Sequence, residues 1–177
     1  MRLCIYRGNP QSILAAAVVA GKYPDVKFIE WSSNCIPAAK LPTVSSGDEV
    51  WMFNAIVPSG YLLAMNSVAT LNIYTDDNSF WTNLYGQLKT SGLNWTIGKQ
   101  EEIAGLVWRK LCPDTDMPEI IDTAVVDGAL VSNYLIAFGI NSPALLAAKL
   151  NDMTKTMAIT CGNIIASYLA NKSSFVG

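Results

Sequence analysis

Residues 2–22 read RLCIYRGNPQSILAAAVVAGK, and this stretch decides the fold class. Arg2-Leu3-Cys4-Ile5-Tyr6 is a short apolar run of the kind that forms a buried strand. Arg7-Gly8-Asn9-Pro10-Gln11 supplies turn chemistry, and Ser12 stands as an N-cap for a helix over 13–22. That helix carries Ala15, Ala16, Ala17 and Ala20, small side chains that allow close packing on a sheet. Strand, turn and Ala-rich helix, in that order, open a strand–helix–strand unit.

The pattern repeats outward from there. Tyr23-Pro24-Asp25 breaks the helix before a second strand over 26–31, and a loop rich in Ser, Asn and Pro follows over 32–42. Ser46-Gly47-Asp48 turns into a third strand, Glu49–Phe53; Pro58-Ser59-Gly60 opens a helix over 61–67, and 71–74 is a fourth strand. Short apolar strands separated by helices predict an α/β fold, a Rossmann-like parallel sheet with helices on both faces. The second half is helical, with segments over 79–88, 101–111, 118–130 and 134–138, then a long pattern from Pro143 to 171 broken near Gly162. The expected organisation is an α/β domain over 1–150 and a C-terminal helix over 151–177.

Composition narrows the function classes. The chain of 177 residues has no histidine, which removes His-based acid–base catalysis and most metal-hydrolase ligand sets. Apolar residues make up 51%, enough for a sizeable core, while charged residues make up 15%, below the roughly 25% usual in soluble domains. Part of so weakly charged a surface is expected to be covered by another subunit or partner. A net charge of −2 with no basic block argues against broad nucleic-acid binding. Cys4, Cys35, Cys112 and Cys161 form no close pair, so they read as reduced thiols rather than a zinc site. No run approaches the ~20 apolar residues of a membrane span, and Met1-Arg2 leads straight into a strand without a signal-peptide pattern. A cytoplasmic location is the expectation, in the host cytoplasm if the protein is viral.

In open α/β sheets, ligands bind beyond the C-terminal ends of the strands. Those ends carry Arg7-Gly8-Asn9, Trp31-Ser32, Asn54-Ala55 and Thr75-Asp76-Asp77. With Ser12, they give the candidate ligand-binding set Arg7, Gly8, Asn9, Ser12, Asn54, Thr75, Asp76 and Asp77.

At these positions the chain resembles the DHH phosphoesterases, the RecJ and nanoRNase superfamily. Tyr6-Arg7-Gly8-Asn9-Pro10-Gln11-Ser12-Ile13-Leu14-Ala15-Ala16 resembles the first family motif, YHGNxPDGxxAA. Glu49–Phe53 with Asn54 and Pro58 resembles the second motif, a strand ending in Asp with Pro shortly after. Leu71-Asn72-Ile73-Tyr74-Thr75-Asp76-Asp77 resembles the third, a strand ending in Asp-His-His. Glu102-Ile103-Ala104-Gly105-Leu106-Val107-Trp108-Arg109-Lys110-Leu111 resembles the family helix SxAxLVWxxL, and 118–130 the helix of the fourth motif.

The resemblance implies the fold of these enzymes, which hold two divalent cations, usually manganese, on His and Asp ligands. By position, Arg7 replaces the first-motif His, Ser12 its Asp, and Asn54 the second-motif Asp; Thr75-Asp76-Asp77 replaces the Asp-His-His triplet. The fourth-motif Asp falls on Asp127 or, in the alternative register, on Ala129. Two-metal hydrolysis needs several anionic or imidazole ligands around both ions, and this set no longer supplies them. Family members also carry a substrate-binding domain after a linker helix; this chain ends at about that helix, near 158–170, so that domain is expected to be missing.

Each candidate carries a plainer alternative. Arg7 either meets a ligand phosphate at the helix N-terminus or pairs with Asp76 or Asp77. Asp76 and Asp77 point different ways from a strand end and read as loop carboxylates. Asp114-Thr115-Asp116 with Glu119 lacks calcium-loop spacing and reads as helix capping. Cys4 and Cys35 lack an activating His and read as inert. Phe80, Trp81, Tyr85, Trp95 and Trp108 are core or interface aromatics before they are a base-stacking platform. In the uncharged stretch 156–171, Met157, Ile164, Ile165, Tyr168 and Leu169 either meet another subunit or pack back on the core.

Three functions follow; no cofactor is expected, except that the third would use one metal ion. The first is an inactive DHH-like protein that binds a partner protein or a phosphorylated small ligand such as a nucleotide, in the style of a phage or mobile-element inhibitor. The second is an assembly protein that homo-oligomerises through its C-terminal helix. The third is a residual metal-dependent phosphoesterase using Asp76, Asp77 and Asp127.

Overall fold

The computed structural model describes residues 1–31, 36–76, 92–93, 95–137, 139–140 and 142–173; in the last helix, side chains are described at 155–161, 163, 164 and 167. Asp77, Cys35, the helix expected over 79–88 with Phe80, Trp81 and Tyr85, and the side chains of Ile165, Tyr168 and Leu169 lie outside that description.

Five parallel strands form one sheet in the order β2-β1-β3-β4-β5. They are β1 Arg2–Arg7, β2 Lys27–Trp31, β3 Glu49–Phe53, β4 Thr70–Thr75 and β5 Thr96–Ile97. The expected α/β architecture is present; β1 and β3 are apolar on both faces as buried parallel strands require, while β4 buries Ile73 and Tyr74 together with the polar Asn72 and Thr75. β5 was not expected: two exposed residues give no periodicity to read.

Alternation along the strands separates two cores. Cys4, Tyr6, Trp51, Phe53 and Tyr74 face helix α1, Pro10–Lys22; Leu3, Ile5, Val50, Met52 and Ile73 face helix α2, Ser59–Val68. The helical second half joins the α1 side. It comprises α3 Ile103–Leu111, α4 Glu119–Val126, α5 Gly128–Ala137, α6 Pro143–Ala147 and α7 Lys155–Ser173. α3, α5 and α6 pack on α1, and α7 packs on α5. Every side chain of α1 from Gln11 to Ala20 is buried, which explains its run of alanines.

Several element boundaries differ from expectation, each for a local reason. α1 starts at Pro10, and its cap is Asn9, not Ser12: the Asn9 side chain accepts the Ser12 N–H at 2.8 Å, and Pro10 fits the first helical turn. Ser12 is therefore inside the helix. The helix expected over 118–130 breaks at Asp127, which ends α4 and caps α5 by accepting the Leu130 N–H at 3.0 Å. The break expected at Gly162 lies earlier, between α6 and α7, and Gly162 is inside α7. Asp114 and Asp116 cap nothing, since α4 begins after Pro118 without a side-chain cap. Glu119 does cap, but at a distance: its carboxylate accepts the N–H of Lys155 at 2.8 Å, at the start of α7.

Candidate functional site

The strand order reverses at β1, because the chain leaves β1 for β2 on one side and reaches β3 on the other. Such switch points open a crevice at the C-terminal strand ends. Strand register builds a row of residues there. Arg7 pairs with Trp31 of β2; Tyr6 pairs with Phe53, so Asn54 comes next to Arg7; Phe53 pairs with Tyr74, so Thr75 comes next to Asn54. The Asn54 N–H donates to the Tyr74 carbonyl at 3.0 Å and holds this alignment.

The row is rich in hydrogen-bond donors. The Arg7 side chain is exposed, and among the described residues it makes no ion pair; the alternative of a pair with Asp76 is not realised. The Trp31 Nε1 and the Asn54 Nδ2 are buried without a hydrogen-bond partner. Asn54 has φ 51, a left-handed conformation that Asn adopts more readily than most residues. That conformation follows directly on β3 and lets its Oδ1 accept the Asp76 N–H at 2.8 Å. Thr75 is buried at the end of β4.

The start of α1 adds less than the sequence promised. Pro10 has no N–H to offer and Asn9 already holds that of Ser12, so a bound anion would rest on Arg7 more than on the helix terminus. Ser12 is only 1% exposed, with its Oγ unpartnered. At Gly8 a Cβ would stand 2.4 Å from the Oε1 of the exposed Glu30 side chain, which would have to swing aside. The other Glu30 oxygen accepts the Tyr6 hydroxyl at 3.3 Å. Burial and then the Glu30 charge raise the Tyr6 pKa, so the phenol stays protonated.

A second feature lies at the start of α1, around Gln11, which was not among the candidate site residues. Gln11 is 7% exposed, and its Nε2 donates to the Gly128 carbonyl at 2.8 Å and the Ser132 Oγ at 3.3 Å. Its Oε1 is left without a partner. Beside it, Gln11, Gln100, Glu101, Gly128, Ala129 and Ser132 line a cavity of about 280 Å³. The pairing of Gln11 with Gly128 spans 117 positions, which no local pattern reveals.

The remaining candidates are dispersed. Asp127 is used as a helix cap, and Ala129 lines the cavity. Cys4 is fully buried in β1, and burial raises its thiol pKa, which opposes thiolate chemistry. Trp108 packs against the core and donates its indole N–H to the Thr115 carbonyl at 3.1 Å; Trp95 packs against the α2-side core. Met157 and Ile164 on α7 are 44% and 64% exposed, whereas Ala158 is buried.

Among the described residues, the donor set does not fit two divalent cations. They present a guanidinium, a hydroxyl, an amide and the single carboxylate of Asp76 at the strand ends, and no three His, Cys, Asp or Glu side chains among them stand close enough to hold a metal ion. Among the described residues, no helix is long and apolar enough to cross a membrane. Comparison with protein-family models, with curated proteins and with solved structures finds no match to the chain.

Proposed function

We propose that this chain is a DHH-like binding protein without hydrolytic chemistry, and that it holds a phosphorylated small ligand at the C-terminal ends of β1 and β3. The observation that carries this reading is the exposed Arg7 side chain at the end of β1, which makes no ion pair among the described residues and stands between Trp31 and Asn54 in the strand register. Arg is the side chain best matched to phosphate. The resemblance of the strand-end motifs to a phosphoesterase family supports the same ligand class. The metal-dependent alternative on Asp76, Asp77 and Asp127 is weaker, because the Asp127 carboxylate is engaged in capping α5.

A thermal-shift panel tests the proposal. Pyrophosphate or a nucleoside monophosphate at about 100 times its Kd adds roughly 2.7 kcal/mol, a shift of several degrees, and Arg7→Glu removes it without changing the unliganded Tm. Manganese produces no shift. A manganese shift accompanied by phosphodiester cleavage would favour the enzyme; silence across all phosphorylated ligands would sink the proposal.

A second reading rests on α7. Met157 and Ile164, one heptad apart on that helix, expose apolar surface in a segment uncharged over 156–171, which suits contact with another copy of the chain.

A further inference from the structure

A carboxylate stands within reach of Arg7 and does not take it. Arg7 at the end of β1 lies opposite Asn54, and Asn54 lies opposite Thr75, so Asp76 is two strand spacings and one residue away. Strands run about 4.8 Å apart, which puts the two backbones on the order of 10 Å apart, a gap that an extended Arg and an Asp side chain close between them. Among the described residues Arg7 nevertheless makes no ion pair. The residue between them supplies the reason. The Asn54 Oδ1 accepts the Asp76 N–H at 2.8 Å, while the Asn54 N–H donates to the Tyr74 carbonyl at 3.0 Å. Two bonds from one residue thus hold the chain in register one position past β4. In that register, the alternation that puts Tyr74 on the α1 side of the sheet carries Asp76 to the same side. The alternation of Leu3 and Ile5 carries Arg7 to the α2 side.

We propose, resting on the phosphate-binding reading, that Asn54 is a positioning residue: it pins Asp76 and so keeps the Arg7 guanidinium available to an anion. Asn suits the task on three counts. It tolerates φ 51 at the end of β3, where most side chains would be strained. From that conformation its carbonyl reaches the N–H beyond the neighbouring strand. It is also neutral, whereas an Asp in its place would set a carboxylate beside Arg7 itself. Only 8% exposed, the side chain has little room to leave the bond.

The test applies two readouts to the wild type, Asn54→Gly and the double variant Asn54→Gly/Asp76→Asn, with circular dichroism confirming that each is folded. One is calorimetric titration of pyrophosphate; the other is exchange of the Arg7 side-chain Nε–H with water, followed by NMR. Glycine keeps the left-handed backbone and removes the pin. Asn54→Gly binds pyrophosphate roughly fivefold more weakly, because a surface ion pair sequesters about that share of Arg7, and its Nε–H exchanges more slowly. The double variant recovers both values, which a merely structural defect at that position would not. A folded Asn54→Gly protein that matches the wild type in both readouts overturns the proposal, and so does a loss that Asp76→Asn fails to restore. A wild type that binds no pyrophosphate overturns the phosphate reading, and the Nε–H exchange still upholds or overturns the pin. Backbone exchange in the wild type tests the pin without any substitution. The Asp76 N–H is protected roughly a hundredfold over the unfolded chain, and an unprotected Asp76 N–H overturns the proposal.

Discussion

The side-chain carbonyl of Asn54 accepts the backbone N–H of Asp76 at 2.8 Å, and so ties the end of β3 to the end of β4. This bond depends on the left-handed backbone of Asn54, which is 8% exposed. Three substitutions separate the two contributions. Asn54→Asp keeps both the acceptor and a tolerated backbone. Asn54→Gly keeps the backbone and orphans the Asp76 N–H, at a cost of about 1–3 kcal/mol. Asn54→Ala loses both and costs roughly 1–2 kcal/mol more. Urea denaturation should rank stability as Asp above Gly above Ala. Equal values for Gly and Ala would show that the backbone conformation carries no penalty.

Alkaline pH should destabilise the fold in two stages. Burial raises the Cys4 thiol, and burial with the Glu30 charge raises the Tyr6 phenol. In both cases the folded state holds a proton that the unfolded chain releases more readily. Stability is therefore flat below the unfolded pKa values, about 8.5 for Cys and 10 for Tyr, and falls as pH rises above each. The slope from Cys4 alone is about 1.4 kcal/mol per pH unit once the unfolded thiol ionises. Cys4→Ala should delay the decline until the tyrosines begin to titrate. Urea midpoints between pH 7 and 11 read this directly, and a Cys4→Ala profile that coincides with wild type would refute it.

Should α7 join two copies of the chain, Ile164→Asp will convert an oligomer to a monomer at unchanged helicity. Ile164 is 64% exposed, so a carboxylate there costs the isolated chain little. Sedimentation of both proteins across a concentration series settles the point. A wild type that remains monomeric throughout would remove the second reading.

Much of the sheet was legible because β1, β3 and β4 are short apolar runs bounded by Gly, Pro and Asp, and because α1 is written in alanines. The strand-end residues were legible for the same reason: once the strands are placed, Arg7, Asn54 and Thr75 fall at their tips. The cap of α1 was misplaced because Asn9 and Ser12 are both good caps, and only Pro10 between them decides for Asn9. The two-residue β5 has no period to detect. The helical half was harder. Asp127 ends one helix and begins the next without any Gly or Pro before it, and an apolar pattern runs on both sides. In the sequence Gln11 reads as the last residue of the turn before the helix and Glu101 as the first residue of another helix, and neither position marks a side chain as buried. Only the fold, by bringing Gly128 against Gln11, reveals the cavity.

Enclosure of α1 by the sheet and by α3, α5 and α6 has a consequence for recognition. A helix held on every side cannot pivot, so Gln11 and the turn that leads into the helix keep one geometry, and a ligand bound there under the proposed function would meet a backbone already in position. Little motion remains to be frozen on association, and discrimination between related molecules then comes from a preformed outline rather than from closure around them. On the proposed function, binding should be fast and tolerate few variations in the ligand.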